Sequence, residues 1–187
     1  MSNRIALVIA VLAVSGAGLY AAFRPVADRP SLAEAGLSGR FAALSQSGNS
    51  SCSISFRESI AAMADGERLQ GSCCAPMTFS RYEAQVEGLQ TYRRIPEIPP
   101  DPYDIDVGLA KTLMGYYDLE LTAEEQAVYD FAMTNSHEKG PCCCKCWRWY
   151  VYGGLGKYLI RTHGFTGEEV TEVWNLSDGC GGEEEHA

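Results

Sequence analysis

Four cysteines fall within five positions, Cys142, Cys143, Cys144 and Cys146, directly after Pro141. Neighbours this close cannot readily pair with one another, because an unstrained disulfide wants Cα atoms about 5.5 to 6 Å apart and facing Cβ vectors. A fold that uses these thiols must therefore bring other parts of the chain to them. The remaining cysteines stand at 52, 73, 74 and 180. Two chemistries answer to such a pattern: thiolates sharing a soft metal, or disulfides running from cluster to cluster.

The metal reading starts from the alternation of Cys142, Cys144 and Cys146, which can converge in a turning backbone. A helix is predicted directly after them. Its positive end, with Lys145 and Arg148, favours thiolate over thiol. Soft thiolates select Cu(I), Zn(II) or an iron–sulfur centre. Cys73 and Cys74 add two thiols, and Met77 adds a thioether, a poor zinc ligand but an acceptable one for Cu(I), which tilts the reading toward copper. Met77 is better suited still to filling a gap in the core. Cys180 lies among glycines in the loop 178–182, which is free to fold back and deliver one ligand or one disulfide partner. His137 precedes the main cluster, whereas His163, next to Gly164, reads as a helix-end residue. The candidate ligands are thus Cys73, Cys74, Cys142, Cys143, Cys144, Cys146, Cys180, Met77 and His137, and the candidate ion is Cu(I) or Zn(II). Cys52 has no neighbouring thiol, lies beside a tether, and is expected to matter less.

The chain has 187 residues, room for one compact domain beyond a targeting segment. Its formal net charge of -9 argues against nucleic acid, whose phosphates demand clustered Lys and Arg. Residues 5–23 form an unbroken apolar run between Arg4 and Arg24. Its length approaches the roughly 20 residues of a membrane span, while Ser15, Gly16, Ala17 and Gly18 offer small residues for a signal peptidase. The expected layout is a signal peptide or membrane anchor over 1–24, a flexible linker over 25–51, a cysteine-rich helical domain over 52–182 and an acidic tail over 183–187. The body is expected to be extracytoplasmic, membrane-anchored or secreted, with the membrane as one partner and a metal donor or acceptor protein as another.

Helical periodicity dominates the body. Ser55 with Glu58, Ser80 with Glu83, Thr122 with Glu125 and Thr166 with Glu169 make capping-box patterns. Pro96, Pro99, Pro100 and Pro102 predict an extended connector. Ile105, Leu109, Leu113 and Tyr116 mark the apolar stripe of a buried helix, expected to form an antiparallel hairpin with the one that Thr122 opens. Trp147 to His163 continues in helical order through Gly153, Gly154 and Gly156, which are expected to mark close packing. No strand alternation of useful length appears, so the expected class is all-α: a compact helical domain with cysteine-rich loops after an N-terminal membrane-targeting helix.

Pro-Cys-x-Cys-x-Cys over 141–146, preceded by Tyr129, Asp130, Phe131 and Ala132, resembles the bacterial family named for its PCYCGC motif, whose members are exported and functionally uncharacterised. The resemblance spans about 128–173 and implies Cys142, Cys144 and Cys146 as the shared thiols. This chain departs from the motif with Cys143 and Lys145 at the spacer positions. The implied function is metal binding or thiol chemistry. Three functions follow: soft-metal binding or handling; a disulfide-stapled structural or interaction module; and a thiol–disulfide redox protein, weakened by the lack of a βαβ pattern around Cys143 and Cys146. No serine-hydrolase constellation, phosphate loop or haem attachment motif is present, so an enzyme is not indicated.

Overall fold

In the computed structural model, which describes residues 36–182, two helices begin where their capping boxes place them. Thr122 accepts the Glu125 amide while the Glu125 carboxylate reaches back to the Thr122 amide, opening Ala123–Asn135 (α5). Thr166 and Glu169 do the same for Gly167–Ser177 (α7). The other α-helices among the described residues are Leu37–Ser47 (α1), Ile54–Ile60 (α2), Phe79–Leu89 (α3), Val107–Tyr116 (α4) and Trp147–Tyr158 (α6), which continues as a wider-wound turn over Leu159–His163. None of the described helices is long and apolar enough to cross a membrane. The apolar run at 5–23, the rest of the expected signal or anchor over 1–24 and the acidic tail lie outside the described residues.

The molecule is mostly helical, but a short sheet corrects the all-α expectation. Arg68–Gln70 (β1) pairs antiparallel with Asp104–Asp106 (β2), with buried Leu69 opposite buried Ile105. Three residues per strand are too few to show an alternation, so no period-2 signal was available. Asp106 ends β2 and caps α4 by accepting the Leu109 amide. Two expected helix starts are displaced: Ser53, not Ser55, caps α2, and Thr78 stands at the N-cap of α3.

Three further differences bear on architecture. The stretch read as a flexible linker contains α1, whose Leu37, Phe41 and Leu44 sit at helical spacing and join Met77, Tyr82, Val86 and Tyr103 in a second core. The proline stretch is not extended. It folds into successive turns, with the Ile95 amide donating to the Tyr92 carbonyl at 2.9 Å and the Ile98 amide to the Ile95 carbonyl at 3.1 Å. Finally, α4 and α5 do not chiefly pair with each other; α4 packs on α6 and α5 on α7.

Packing of α6 against α4 and α7 explains Gly154 and Gly156. A side chain at Gly154 would collide with the backbone carbonyl of Leu113, and one at Gly156 would meet the Trp174 ring at 2.7 Å. The close packing this allows offsets the roughly 1 kcal/mol that each glycine costs a helix. Around this contact Leu113, Trp147, Val151, Tyr152, Leu155, Val170, Val173 and Trp174 form the main core. Its edge carries the cysteines.

Candidate metal centre

Four loops bring all eight thiols together. Cys52 precedes the Ser53 cap of α2, Cys73 and Cys74 lie in the turn after β1, Cys142 to Cys146 fill the connection from α5 to α6, and Cys180 follows α7. The sulfurs of Cys52 and Cys74 are 2.8 Å apart, and those of Cys74 and Cys143 are 3.7 Å apart. Cys180 lies 3.0 Å from Cys143 and 3.2 Å from Cys142, and Cys142 lies 3.8 Å from Cys146. All eight are free thiols. Overlapping groups of three sulfurs, each with its members within 4.8 Å of one another, could hold an ion, among them Cys52, Cys73, Cys74; Cys52, Cys144, Cys146; Cys74, Cys143, Cys180; and Cys142, Cys143, Cys144.

The loops are braced by backbone and by buried polar side chains. The Cys180 carbonyl accepts the amides of Cys74 at 3.2 Å and Ala75 at 2.8 Å, and the Gly182 amide donates to the Pro76 carbonyl at 2.8 Å. Gly181, at φ 78°, presses against the Ala75 carbonyl, where no side chain fits. Arg81 on α3 forms an ion pair with Asp178 and donates to the Gly181 and Gly182 carbonyls. Gln85 donates to the Asp178 carbonyl at 2.6 Å. On the other side, the Ser136 hydroxyl accepts the Gly140 amide at 2.8 Å and donates to the Gly140 carbonyl at 2.9 Å, which fixes the turn leading into Pro141.

Arg148 ties these loops together from below. It is fully buried, donating to the Pro102 carbonyl at 2.5 Å and the Gly71 carbonyl at 3.0 Å, with its guanidinium 4.5 Å from the centroid of the Trp147 ring. A side chain at Gly179 would occupy the guanidinium's place. Among the described residues no carboxylate forms an ion pair with Arg148. A buried cation without a counter-charge is expensive. Tyr152, Cys73, Cys142 and Cys180 are the groups whose negative charge would favour it.

The thiols divide the charge unequally. Hydrogen bonds from Cys142 first, and then from Cys73, hold the Cys146 thiol far below its ordinary range. Cys146 is also the N-cap residue of α6, where the helix dipole stabilises an anion. A first thiolate makes a second one costly. Cys73 is pushed up by its hydrogen bond to Cys146, Cys142 by those to Cys143 and Cys146, and Cys180 by that to Cys142. Burial lifts Cys74 to about 11. Cys146 is thus the thiol that most favours ionisation, beside Cys73, Cys74, Cys142 and Cys180, which favour the proton and give it up when a cation takes its place.

Of the ligands expected from sequence, Cys73, Cys74, Cys142, Cys143, Cys144, Cys146 and Cys180 come together. Met77 and His137 do not join them. Met77 is buried in the second core, its sulfur 4.0 Å from the Ser45 hydroxyl, and serves as packing. His137 is exposed after α5 and lines a surface cavity of about 430 Å³ with Arg81, Gln85 and Asn175. Cys52, expected to stand apart, takes part in two of these sulfur groups. Its isolation in sequence concealed this, because the docking of α2 beside α6 is what carries it to the cluster. Of the aromatic block after the thiols, Trp147 and Tyr152 are core, while Trp149 is half-buried and donates to the Tyr117 hydroxyl at 3.0 Å.

No family model, curated protein or solved structure matches this chain. Function is therefore read from the thiol cluster itself.

Proposed function

We propose that this protein binds and passes on soft metal ions, Cu(I) foremost, through its eight-cysteine cluster, at the extracytoplasmic face of a membrane. The observation that carries the reading is the convergence of eight free thiols from four separate loops into overlapping three-sulfur groups. Sulfur donors select soft ions, and a three-sulfur position suits Cu(I) better than Zn(II), whose structural sites are tetrahedral. Arg148 supplies a buried positive charge that an anionic thiolate cluster offsets. Cys142, Cys146 and Cys180 are buried, whereas Cys74 and Cys143 are exposed and give an edge where an ion can be exchanged with a donor or acceptor protein. The extracytoplasmic placement rests on the apolar run at 5–23 and on the resemblance of 141–146 to an exported family.

A stapled fold is the second reading, favoured by the short separations of Cys52 from Cys74 and of Cys180 from Cys143. Protein purified without oxidant and assayed for metal and free thiols decides between them. Bound copper or zinc with most thiols reactive after chelation supports the metal centre. Metal-free protein whose thiols are nearly all oxidised, and which takes up no Cu(I) or Zn(II) after reduction, would overturn it.

A further inference from the structure

We infer that the cluster is a graded sulfur path: a Cu(I) ion enters at the exposed pair Cys74 and Cys143, passes through Cys180, and comes to rest at the buried pair Cys142 and Cys146. This rests on the soft-metal reading above and extends it to the order in which the sulfurs act. Of the eight thiols, Cys74 and Cys143 are the two exposed ones. Their sulfurs lie 3.7 Å apart, close to the roughly 3.8 Å that two thiolates take on one ion with bonds of about 2.3 Å. They stand on separate loops, and an ion held between them keeps one side open to a donor. Inward from this pair the sulfurs follow at short steps. Cys180 is 3.0 Å from Cys143, Cys142 is 3.2 Å from Cys180, and Cys146 is 3.8 Å from Cys142. Consecutive pairs share a sulfur, so an ion that takes the next sulfur before releasing the last is never held by fewer than two. The sharing of Cys143, Cys180 and Cys142 between neighbouring positions is what makes the path continuous.

Exposure falls along the path. From the exposed pair it drops to 4% at Cys180 and to 2% at Cys142 and Cys146. Charge complementarity grows in the same direction. Two or three thiolates on one Cu(I) carry a net negative charge, and the inner end offers it positive partners. Cys146 is the N-cap residue of α6, where the helix dipole favours an anion. The buried guanidinium of Arg148 lies against Gly179, next to Cys180. Cys142 and Cys146 belong to the same core as Trp147, where the low dielectric strengthens these attractions. Each step balances. The incoming thiol loses its proton and forms a copper–sulfur bond, the sulfur at the rear gives up its bond and takes a proton, and copper stays Cu(I) throughout. At entry, the protons of Cys74 and Cys143 pass to solvent as the donor's ligands leave. Cys52 and Cys144 also reach Cys146, but both are half-buried, so they serve as the control for the entrance.

The test separates rate from affinity. The full-length chain, purified in detergent under reducing, oxygen-free conditions, is mixed with the Cu(I) complex of bicinchoninate, whose colour reports the speed of transfer and, at equilibrium, the affinity for the first ion. Replacing both exposed sulfurs, Cys74→Ser with Cys143→Ser, should slow uptake by at least about tenfold, because the ion must then await local opening, and change the affinity by no more than about threefold. Cys146→Ser should do the reverse, lowering the affinity by about 10- to 100-fold while the early rate holds. Cys144→Ser should leave the rate unchanged. Circular dichroism checks the fold of each variant, and the unmodified protein supplies a test that needs none. With one Cu(I) per chain, pulses of N-ethylmaleimide followed by peptide mass mapping should find Cys74 and Cys143 protected at first and reactive again once the ion has moved inward. Parent-like uptake in the double variant, equal slowing by Cys144→Ser, a loss of affinity in the double variant as large as that in Cys146→Ser, or protection of Cys74 and Cys143 that never fades would overturn the path while leaving a metal site intact. Failure of the unmodified protein to take up Cu(I) would overturn both the path and the Cu(I) reading on which it rests.

Discussion

Gly154 shows how strictly a single residue can be prescribed. Its hydrogen faces the Leu113 carbonyl across the α4–α6 contact, and a methyl group there would overlap backbone, which cannot rotate away as a side chain can. Gly115, on the same α4, has open space where its side chain would be. Gly154→Ala is therefore expected to destabilise by about 1 to 3 kcal/mol through forced separation of the helices. Gly115→Ala should be neutral or stabilising by up to about 1 kcal/mol, since it lowers the backbone freedom of the unfolded chain at no steric cost. Urea midpoints of the two variants measure both, and equal effects would mean that α4 and α6 do not meet through Gly154. Arg148 is prescribed for a different reason. Its fork spans two carbonyls on separate loops, a geometry that the point charge of lysine does not reproduce.

At the scale of elements, α5 is held at its start by a carboxylate with two tasks. Glu125 completes the capping box with Thr122 and pairs with Arg161 through contacts of 2.5 and 2.6 Å, so it joins α5 to the turn after α6. The hydrogen bond from Arg161, and then that from the Thr122 amide, lower its carboxyl from the ordinary 4.5 to about 2. The folded value lies below the unfolded one, so the stabilisation is fully present above about pH 4.5 and is lost as pH falls toward 2. Glu125→Gln should accordingly be less stable than the parent at pH 6, with the difference in urea midpoint shrinking steadily between pH 4.5 and 2. A difference independent of pH would show that the charge is not what Glu125 contributes. The two caps with a full box, at Thr122 and Thr166, were legible from sequence because both halves of the motif are local. Neither the α1 stripe nor the strand pair was. α1 has its apolar residues spread through an Ala, Ser and Gly background that reads as tether, and β1 and β2 gain their register only from contacts distant in sequence. The prolines misled for a related reason: Asp101, buried and accepting from the Tyr82 hydroxyl at 2.6 Å and the Tyr103 amide at 2.9 Å, anchors a turn that composition alone does not announce.

For the whole molecule, the thiol cluster is where four loops from distant parts of the chain come together, so its state should govern the stability of the fold around it. Seven of its eight cysteines were legible because they stand in groups or between glycines, while Cys52 required the tertiary placement of α2. In the reduced protein the sulfurs are held by weak thiol hydrogen bonds, and the buried Arg148 faces only a partial counter-charge. Ligation replaces those hydrogen bonds by metal–sulfur bonds and completes the anionic cluster. An ion that binds the folded state alone stabilises it by about 4 kcal/mol at a thousandfold excess over its Kd, and each further ion adds its own increment. Cu(I) is therefore expected to raise the melting temperature of the reduced protein by about 8 to 16 °C for one ion, taking about 2 to 4 °C per kcal/mol for a chain of this size. The pH dependence has a definite sign. Cys74 at about 11, and Cys73, Cys142 and Cys180 pushed up by their neighbours, are protonated at neutral pH, so each must release a proton to ligate. Affinity, and with it the gain in melting temperature, should fall as pH is lowered from 8 to 6, and Cu(I) addition to weakly buffered protein should acidify the solution. Cys146, held low by Cys142 and Cys73, should contribute least to that release. A melting temperature unmoved by Cu(I), or a gain that grows as pH falls, would mean that the thiols are not the groups that hold the metal.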